Sequence, residues 1–482
     1  MRTNTLAIAA AALLAGTATA AYAQDVATNP TAAATVDKID AGQVVTMQDA
    51  IAVAMQSNPQ IIQAQMNTEA IQFERRQAQG LYAPRVDIEA SGGIRRLENT
   101  TRRNLGIAND VLYPLEAGIT GSWTAIDFGR RRGEVLKQAA RVDGASLRVV
   151  ERSEFVALQV ARQYLNVLLQ QRVVAASMDN VSFHQTLVGD LGKGVQEGSI
   201  SIADQQQAEE RLQAALVQEA QAEQDLENAK ITLRALTGLN IDNVAVPPDL
   251  AASLPSDLDT AVGLARTRNP LVRESQADVD SANAAVDKAV AEQYPTIGVE
   301  VRGRVGEDID GFAGETNDVQ ALAVLRWNVF DGGIAANNVQ EMVRRASEQR
   351  YILHQRMREA EQDVRTAWLT MNSERDIAGK LARQSEVGDD LLLSYRSQFN
   401  VGRRSLLDVL DAQNTRYNTQ VRLETAKFSQ LFAQYQTLAA TNNFIDSMNI
   451  APGAGAGMTE RVDHGFGPPV PAELQRRFKP KG

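Results

Sequence analysis

The 482-residue chain contains no cysteine. That excludes a disulfide, a thiolate metal site, a cysteine nucleophile and a lipid-bearing N-terminal cysteine. Histidine is scarce: His184, His354 and His464 are scattered, the last near the end. No nucleophile elbow, zinc motif or glycine-rich cofactor loop accompanies them, so the sequence predicts no enzyme, no cofactor and no metal. Aromatics make up only 5%, little for a compact globular enzyme. Basic charge is in deficit, with 49 Lys+Arg against 59 Asp+Glu and a net −10. Phosphate backbones need a basic footprint, so a nucleic-acid role is excluded. No run of 18 apolar residues occurs anywhere, so no membrane-spanning helix is expected.

What is present begins with an export signal. Arg2 precedes the apolar run Leu6–Ala15, and small residues lead to Ala21-Tyr22-Ala23. A charged start, a short apolar stretch and an A-x-A site predict a signal peptide, residues 1–23, cleaved before Gln24. The segment 24–45, rich in Ala, Thr, Asn and Asp, reads as flexible.

The remainder reads as two copies of one unit. In copy one, 46–245, Thr46-Met-Gln-Asp49 resembles a capping box. A first helix runs to Asn58-Pro59, and a second is stopped by Ala83-Pro84. The period then changes from 3.6 to 2. Val86, Ile88, Ala90, Gly92 and Ile94 alternate with polar or small residues, as do Tyr113, Leu115, Ala117, Ile119, Gly121 and Trp123. This hairpin, about 85–127, has the pattern of a membrane-barrel strand pair, which a one-faced soluble hairpin shares.

Asp127-Phe128-Gly129 turns the strand into a helix over about 130–188, a stretch without proline. No His-Arg-Asp loop supports a kinase reading of Asp-Phe-Gly. Such a helix would span roughly 85–90 Å. Gly189, Gly192, Gly194 and Gly198 are expected to end it. The Gly189–Gly194 spacing imitates a phosphate loop, but Lys193 precedes the second glycine and Val195 follows it. A helix over about 200–236 carries a coiled-coil seam of Ala208, Leu212, Ala215, Glu219, Ala222, Leu226, Ala229, Leu233 and Leu236. A linker, 246–257, divides the copies.

Copy two, 258–450, repeats the order. Asn269-Pro270 and Tyr294-Pro295 each fall 211 residues after their counterparts. A strand hairpin covers about 296–330, and Asp331-Gly332-Gly333 makes the exit. Long helices are predicted over about 335–396 and 405–446. Their seams carry Val343, Ala346, Arg350, Leu353, Met357, Ala360, Val364, Ala367 and Met371, then Leu407, Leu410, Asn414, Tyr417 and Val421. One such helix suits any bundle core; four with almost no proline favour long antiparallel coiled coils. Residues 451–482, rich in Gly and Pro, read as a disordered tail.

Four amphipathic strands cannot close a membrane barrel, since the smallest common ones have about eight. An open edge in lipid leaves backbone groups unsatisfied, so chains must pool their strands. Two chains give eight strands and a filled interior; three give twelve and room for a passage.

The Asn-Pro landmarks, Ala83-Pro84, Trp327-Asn-Val-Phe-Asp-Gly-Gly333 and Gly402-Arg-Arg-Ser-Leu-Leu-Asp-Val-Leu-Asp-Ala-Gln413 together resemble the TolC-type outer membrane efflux protein family. The resemblance covers about Thr46 to Ile450. It implies an α+β membrane protein of the Gram-negative outer membrane. The family is a homotrimer whose twelve-stranded β-barrel, four strands per chain, continues as a long antiparallel α-helical coiled-coil barrel in the periplasm. It implies passive export of secreted protein (type I secretion), small toxic compounds or both, and contact with outer membrane lipid. Its implied partners are a periplasmic adaptor (membrane fusion) protein and an inner-membrane ABC or RND-type transporter. A periplasmic coiled-coil scaffold without a barrel is the rival reading.

Asp408 and Asp411 are three apart and share a helix face. Threefold symmetry would bring six carboxylates around the axis, repelling one another and attracting cations. The resemblance implies an acidic constriction ring at these positions, with Arg404 as gate arginine and Asp204 as its acidic partner on a neighbouring helix. Phe399 stands where the family often has a hydrogen-bonding tyrosine. A plain Arg404–Asp408 surface pair would contribute only a few tenths of a kcal/mol. The expected adaptor-docking tips are the turns at Gly194–Gly198 and Phe399–Arg404, with Val401 and Gly402. Asp127, Gly129, Asp331, Gly332 and Gly333 are the expected strand-to-helix turns.

Overall fold

The computed structural model describes residues 44–241 and 243–463; the signal-peptide expectation lies outside them. β1 (Val44–Val45) leads into α1 (Met47–Ser57) and α2 (Pro59–Gly80). The first hairpin comprises β2 (Arg85–Gly92), β3 (Arg95–Arg96), a short helix α3 (Thr100–Asn104), β4 (Val111–Leu112) and β5 (Leu115–Ile126). Then come α4 (Arg130–Gln196), α5 (Ile202–Thr237) and β6 (Asn243–Val244), which pairs in parallel with β1. The second copy runs α6 (Leu258–Arg268), α7 (Pro270–Ala291), β7 (Thr296–Glu307), β8 (Glu315–Arg326), α8 (Ile334–Asn400) and α9 (Leu406–Ala440). Short helices α10 (Phe444–Ser447) and α11 (Glu460–Asp463) follow.

The same side-chain devices recur in both copies. Asn58 and Asn269 cap α2 and α7 through the N–H groups of Gln60 and Leu271. Their amides also donate to the carbonyls of Leu236 and Ala440, tying each short helix pair to the end of its copy's last long helix. The indoles of Trp123 and Trp327 donate to the carbonyls of Tyr82 and Gln293, each two residues before the proline that ends a helix. At the strand exits, Asp127 accepts from the N–H of Gly129 and Arg131, and Asp331 from Gly333 and Ala335. Gly129 and Gly333 take positive φ there, and so does Gly332. Burial pushes the Asp127 carboxyl up, but hydrogen bonds from Arg131 and Gly129 together hold it below the usual range.

The two hairpins join into one antiparallel sheet of order β2-β5-β7-β8. Cross-strand rows such as Ile88–Ile119–Gly303–Val319 and Trp123–Val299–Ala323 lie on one face, and most of their large side chains are exposed. The other face carries Arg302 paired with Glu116, and Arg304 with Asp318. β2 and β8 each have one unpaired edge. Among the described residues no helix is long and apolar enough to cross a membrane.

α4 and α8 have 67 residues each, about 100 Å of helix. α4 does not stop at Gly189 as its glycines suggest. Leu187 and Leu191 on that stretch are buried against Ala208, Leu406 and Leu410, and this packing outweighs the roughly 1 kcal/mol that each glycine costs a helix. α5 buries an alanine every seventh residue, at 208, 215, 222 and 229, small side chains that allow close approach. The α8 seam is the expected one, with Val343, Ala346, Ala360, Val364, Ala367 and Met371 buried. On α9 the buried line is Leu406, Leu410, Gln413 and Tyr417, while Leu407 and Asn414 are exposed. α9 packs on both α8 and α4, so its buried face is centred between them. α9 also ends at Ala440, before the expected 446, because Asn442 at φ 55 turns Phe444 into the core.

The largest core lies at the level of the β1–β6 ribbon and includes Met47, Ile51, Val160, Tyr164, Leu233, Tyr435, Leu438 and Phe444. The Tyr164 hydroxyl sits between the carbonyls of Val45 and Ala245, at 2.8 and 2.9 Å. Val45 is therefore 1% exposed, which corrects the expectation that 24–45 is flexible to its end. The start of the expected disordered tail is instead anchored on α4, through buried Gly453 and through Glu460; 464–482 lie outside the described residues.

Glu154 is buried beside this core, facing the backbone N–H groups of Ile445 and Phe444, with Asp446 nearby. Burial pushes its carboxyl up to about 8. The folded chain then keeps a proton that the unfolded chain has lost, so this group lowers stability as pH rises from about 4.5 to about 8. Glu154→Gln is expected to flatten that fall. Thermal melts at pH 5 and pH 8.5 check it: the wild type should lose more stability between them than the variant.

Candidate functional site

The two helical hairpins end in the same turn. In the first, Gly198 takes φ +72 and the Ser199 N–H donates to the Gly194 carbonyl at 2.8 Å. In the second, Gly402 takes φ +72 and the Arg403 N–H donates to Gln398 at 2.9 Å. L side chains rarely adopt this φ, so glycine is needed at both corners. Ser201 and Ser405 then cap α5 and α9 through the N–H of Asp204 and Asp408, and their hydroxyls return to those carboxylates at 2.9 and 2.7 Å. Asp204 and Asp408 thus occupy equivalent positions, 204 residues apart, each serving its own turn.

Arg404 Cζ lies over the Tyr395 ring, 3.9 Å from the centroid, with Nε 3.7 Å from Asp408. The arginine is thereby tied within its own hairpin, between the end of α8 and the start of α9. Asp204 lies outside ion-pair distance of Arg404 within the protomer; its hydrogen bonds go to Ser201. Asp411 is exposed, one turn along from Asp408. Phe399 packs against the cluster of Leu187, Leu191, Ala208, Leu406 and Leu410, where α4, α5 and α9 meet. Val401 is exposed at the corner.

Sequence reasoning missed the polar links one to three turns further up. Gln413, 1% exposed, donates to Asn180 Oδ1 at 2.9 Å, and Asn180 donates to Gln218 at 3.4 Å. The Tyr417 hydroxyl meets Ser177 Oγ at 3.0 Å. Both tie α9 to α4. Arg416 reaches Asp389 at 2.5 Å and ties α9 to α8. A glutamine inside an apolar helix face is the signal that marks Gln413; nothing in the local pattern marks Asn180 or Ser177. Burial and the nearby Arg211 push the His184 pKa down. Among the described residues no His/Asp/Glu group is arranged to hold a metal.

A sheet that is apolar on one side, polar on the other and open at both edges, standing on helices of this length, defines a subunit of an outer-membrane channel. A family model described as outer membrane efflux protein matches residues 50–239 and 261–443. The chain belongs to that family. It is 22% identical to the outer membrane protein TolC of Vibrio cholerae, over 80% of this chain and 87% of that protein. It is 24% identical to protein CyaE of Bordetella pertussis, over 61% of this chain but only 62% of CyaE. The fold matches the Campylobacter jejuni CmeC outer membrane channel with a TM-score of 0.73 at 16% identity, covering 83% of this chain and 86% of CmeC. A membrane protein of Pseudomonas aeruginosa gives 0.75, again at 16% identity, over 86% and 92%.

Gln413→Leu removes the bond to Asn180 and strands a buried amide. The expected cost is about 1–3 kcal/mol, read as earlier thermal unfolding by circular dichroism. Asn414→Leu, one position on and exposed, is the control and leaves the melt within error of wild type.

Proposed function

We propose that this chain is one third of an outer membrane exit duct. Three copies pool their four-stranded sheets into a twelve-stranded barrel, and the helices continue the wall into the periplasm. The observation that supports this most is the sheet itself. A soluble coiled-coil scaffold would leave Val86, Ile88, Ile119 and Val319 in water and two strand edges free to aggregate. The duct conducts passively and performs no catalysis. Cargo, whether secreted protein or small toxic compounds, comes from an inner-membrane ABC or RND-type transporter through a periplasmic adaptor. The adaptor docks at the hairpin corners around Gly194, Gly198, Val401 and Gly402, where Val401 offers an exposed apolar side chain.

The gate is the α8–α9 hairpin. Asp408 and Asp411 from three copies form an acidic ring that favours cations. Asp204 meets Arg404 only across a copy boundary. The Arg404–Asp408 contact lies inside the moving hairpin, whereas the Gln413–Asn180 and Tyr417–Ser177 contacts cross from it to α4. Opening therefore breaks the second pair of contacts first.

Single-channel recordings in planar bilayers test this. Arg404→Ala with Asp408→Ala should raise conductance, and Gln413→Leu with Tyr417→Phe should raise it more. Asp408→Asn with Asp411→Asn should cut cation preference. Wild-type conductance in both paired variants would overturn the gate assignment.

A further inference from the structure

Residues 451–463 lie beyond the family match, which ends at 443. They run back along α4 towards the barrel, from the level of Ser153 to that of Asp143. The Gly453 N–H donates to Ser153 Oγ at 3.0 Å, and a Cβ on Gly453 would stand 2.6 Å from Ile61. The Met458 carbonyl lies 3.3 Å from Ser146 Oγ, whose shorter bond goes to the Asp143 carbonyl at 2.9 Å. The segment then seats on Asp143: the N–H groups of Glu460 and Arg461 donate to its carboxylate at 2.6 and 3.1 Å, and Arg461 Nε does so at 2.8 Å. The other arm of the Arg461 fork reaches Asp280 on α7. Glu460 pairs with Arg75 on α2 at 2.7 Å.

Asp143 belongs to copy one and Asp280 to copy two; their side chains are 2% and 9% exposed. Two buried carboxylates meeting across a helix interface repel unless a cation lies between them. The neighbouring arginines are committed elsewhere. Arg141 pairs with Glu74, Arg148 with Glu274, and Arg152 with Glu151. Among the described residues, Arg461 is the cation paired with both Asp143 and Asp280.

We propose that residues 451–463 are a clamp that locks α4 of copy one against α7 of copy two on the barrel side of the main core, with Arg461 as its key. The clamp holds the helices next to the sheet together, and it does not depend on the gate assignment.

Hydrogen exchange read by mass spectrometry on the full chain in detergent tests it. Arg461→Ala should speed exchange about tenfold in the segments of α4 and α7 around Asp143 and Asp280, and in the clamp itself. Adding Asp143→Asn and Asp280→Asn removes the repulsion and should restore slow exchange in both helices while the clamp stays fast. Arg461→Lys keeps the charge but loses the fork. It should give an intermediate rate, and it replaces the alanine variant if that one does not fold. Fast exchange confined to 451–463, with α4 and α7 at wild-type rates, overturns the clamp. Conductance is not read, so this outcome leaves the gate assignment standing.

Discussion

The constraint on which the rest depends is the pairing of backbone groups along β2 and β8. Each has hydrogen-bond partners on one side only. In hydrocarbon every unsatisfied N–H or C=O costs several kcal/mol. Over an edge of eight or more residues that exceeds the 5–15 kcal/mol by which a typical domain is stable. The apolar face requires lipid, lipid forbids the edges, and the edges require further copies. Within the chain the same demand is met once, where β5 pairs with β7 from Leu115↔Glu307 to Ile126↔Ile297 and fuses the two copies into one sheet.

The helices inherit their placement from that wall. Asp127 and Asp331 start α4 and α8 within a few residues of the last strand pair, so both long helices leave the rim in the same manner. Tyr164 and Tyr435 then bind the main core to the chain carbonyls of Val45, Ala245 and Pro248. The corners are held more lightly, by the five buried residues around Leu191 and by a few side-chain links. Such uneven anchoring places the lowest local stability at the far end of the helices.

Much of this was legible in sequence because it rests on local periodicity. Alternation from Val86 to Trp123 marks strands, and the heptad run from Val343 to Met371 marks the α8 seam. The landmarks at Asn58 and Asn269 reveal the duplication. Less legible were contacts between residues distant along the chain. The Gly- and Pro-rich stretch after Ile450 reads as loose because its order comes from Ser153, Asp143 and Asp280, all outside it. The glycines of α4 read as a helix end because the leucines that carry the helix through them find partners on α5 and α9. The α9 seam falls one position from a single-stripe reading because two helices share that face. Arg404 has an acidic neighbour four residues on, but its ring partner, Tyr395, sits across the turn.

The cysteine-free chain allows the shared wall to be measured directly. Ile88→Cys on the open edge of β2 can be combined in turn with Val319→Cys, Ala321→Cys, Ala323→Cys or Leu325→Cys on the open edge of β8. The oxidised outer membranes are then run on a denaturing gel. Covalent dimers and trimers, with nothing larger, are the predicted result in at least one register. A crosslink confined to single chains, with no dimer or trimer in any register, would mean that one chain closes its own barrel and would contradict the account.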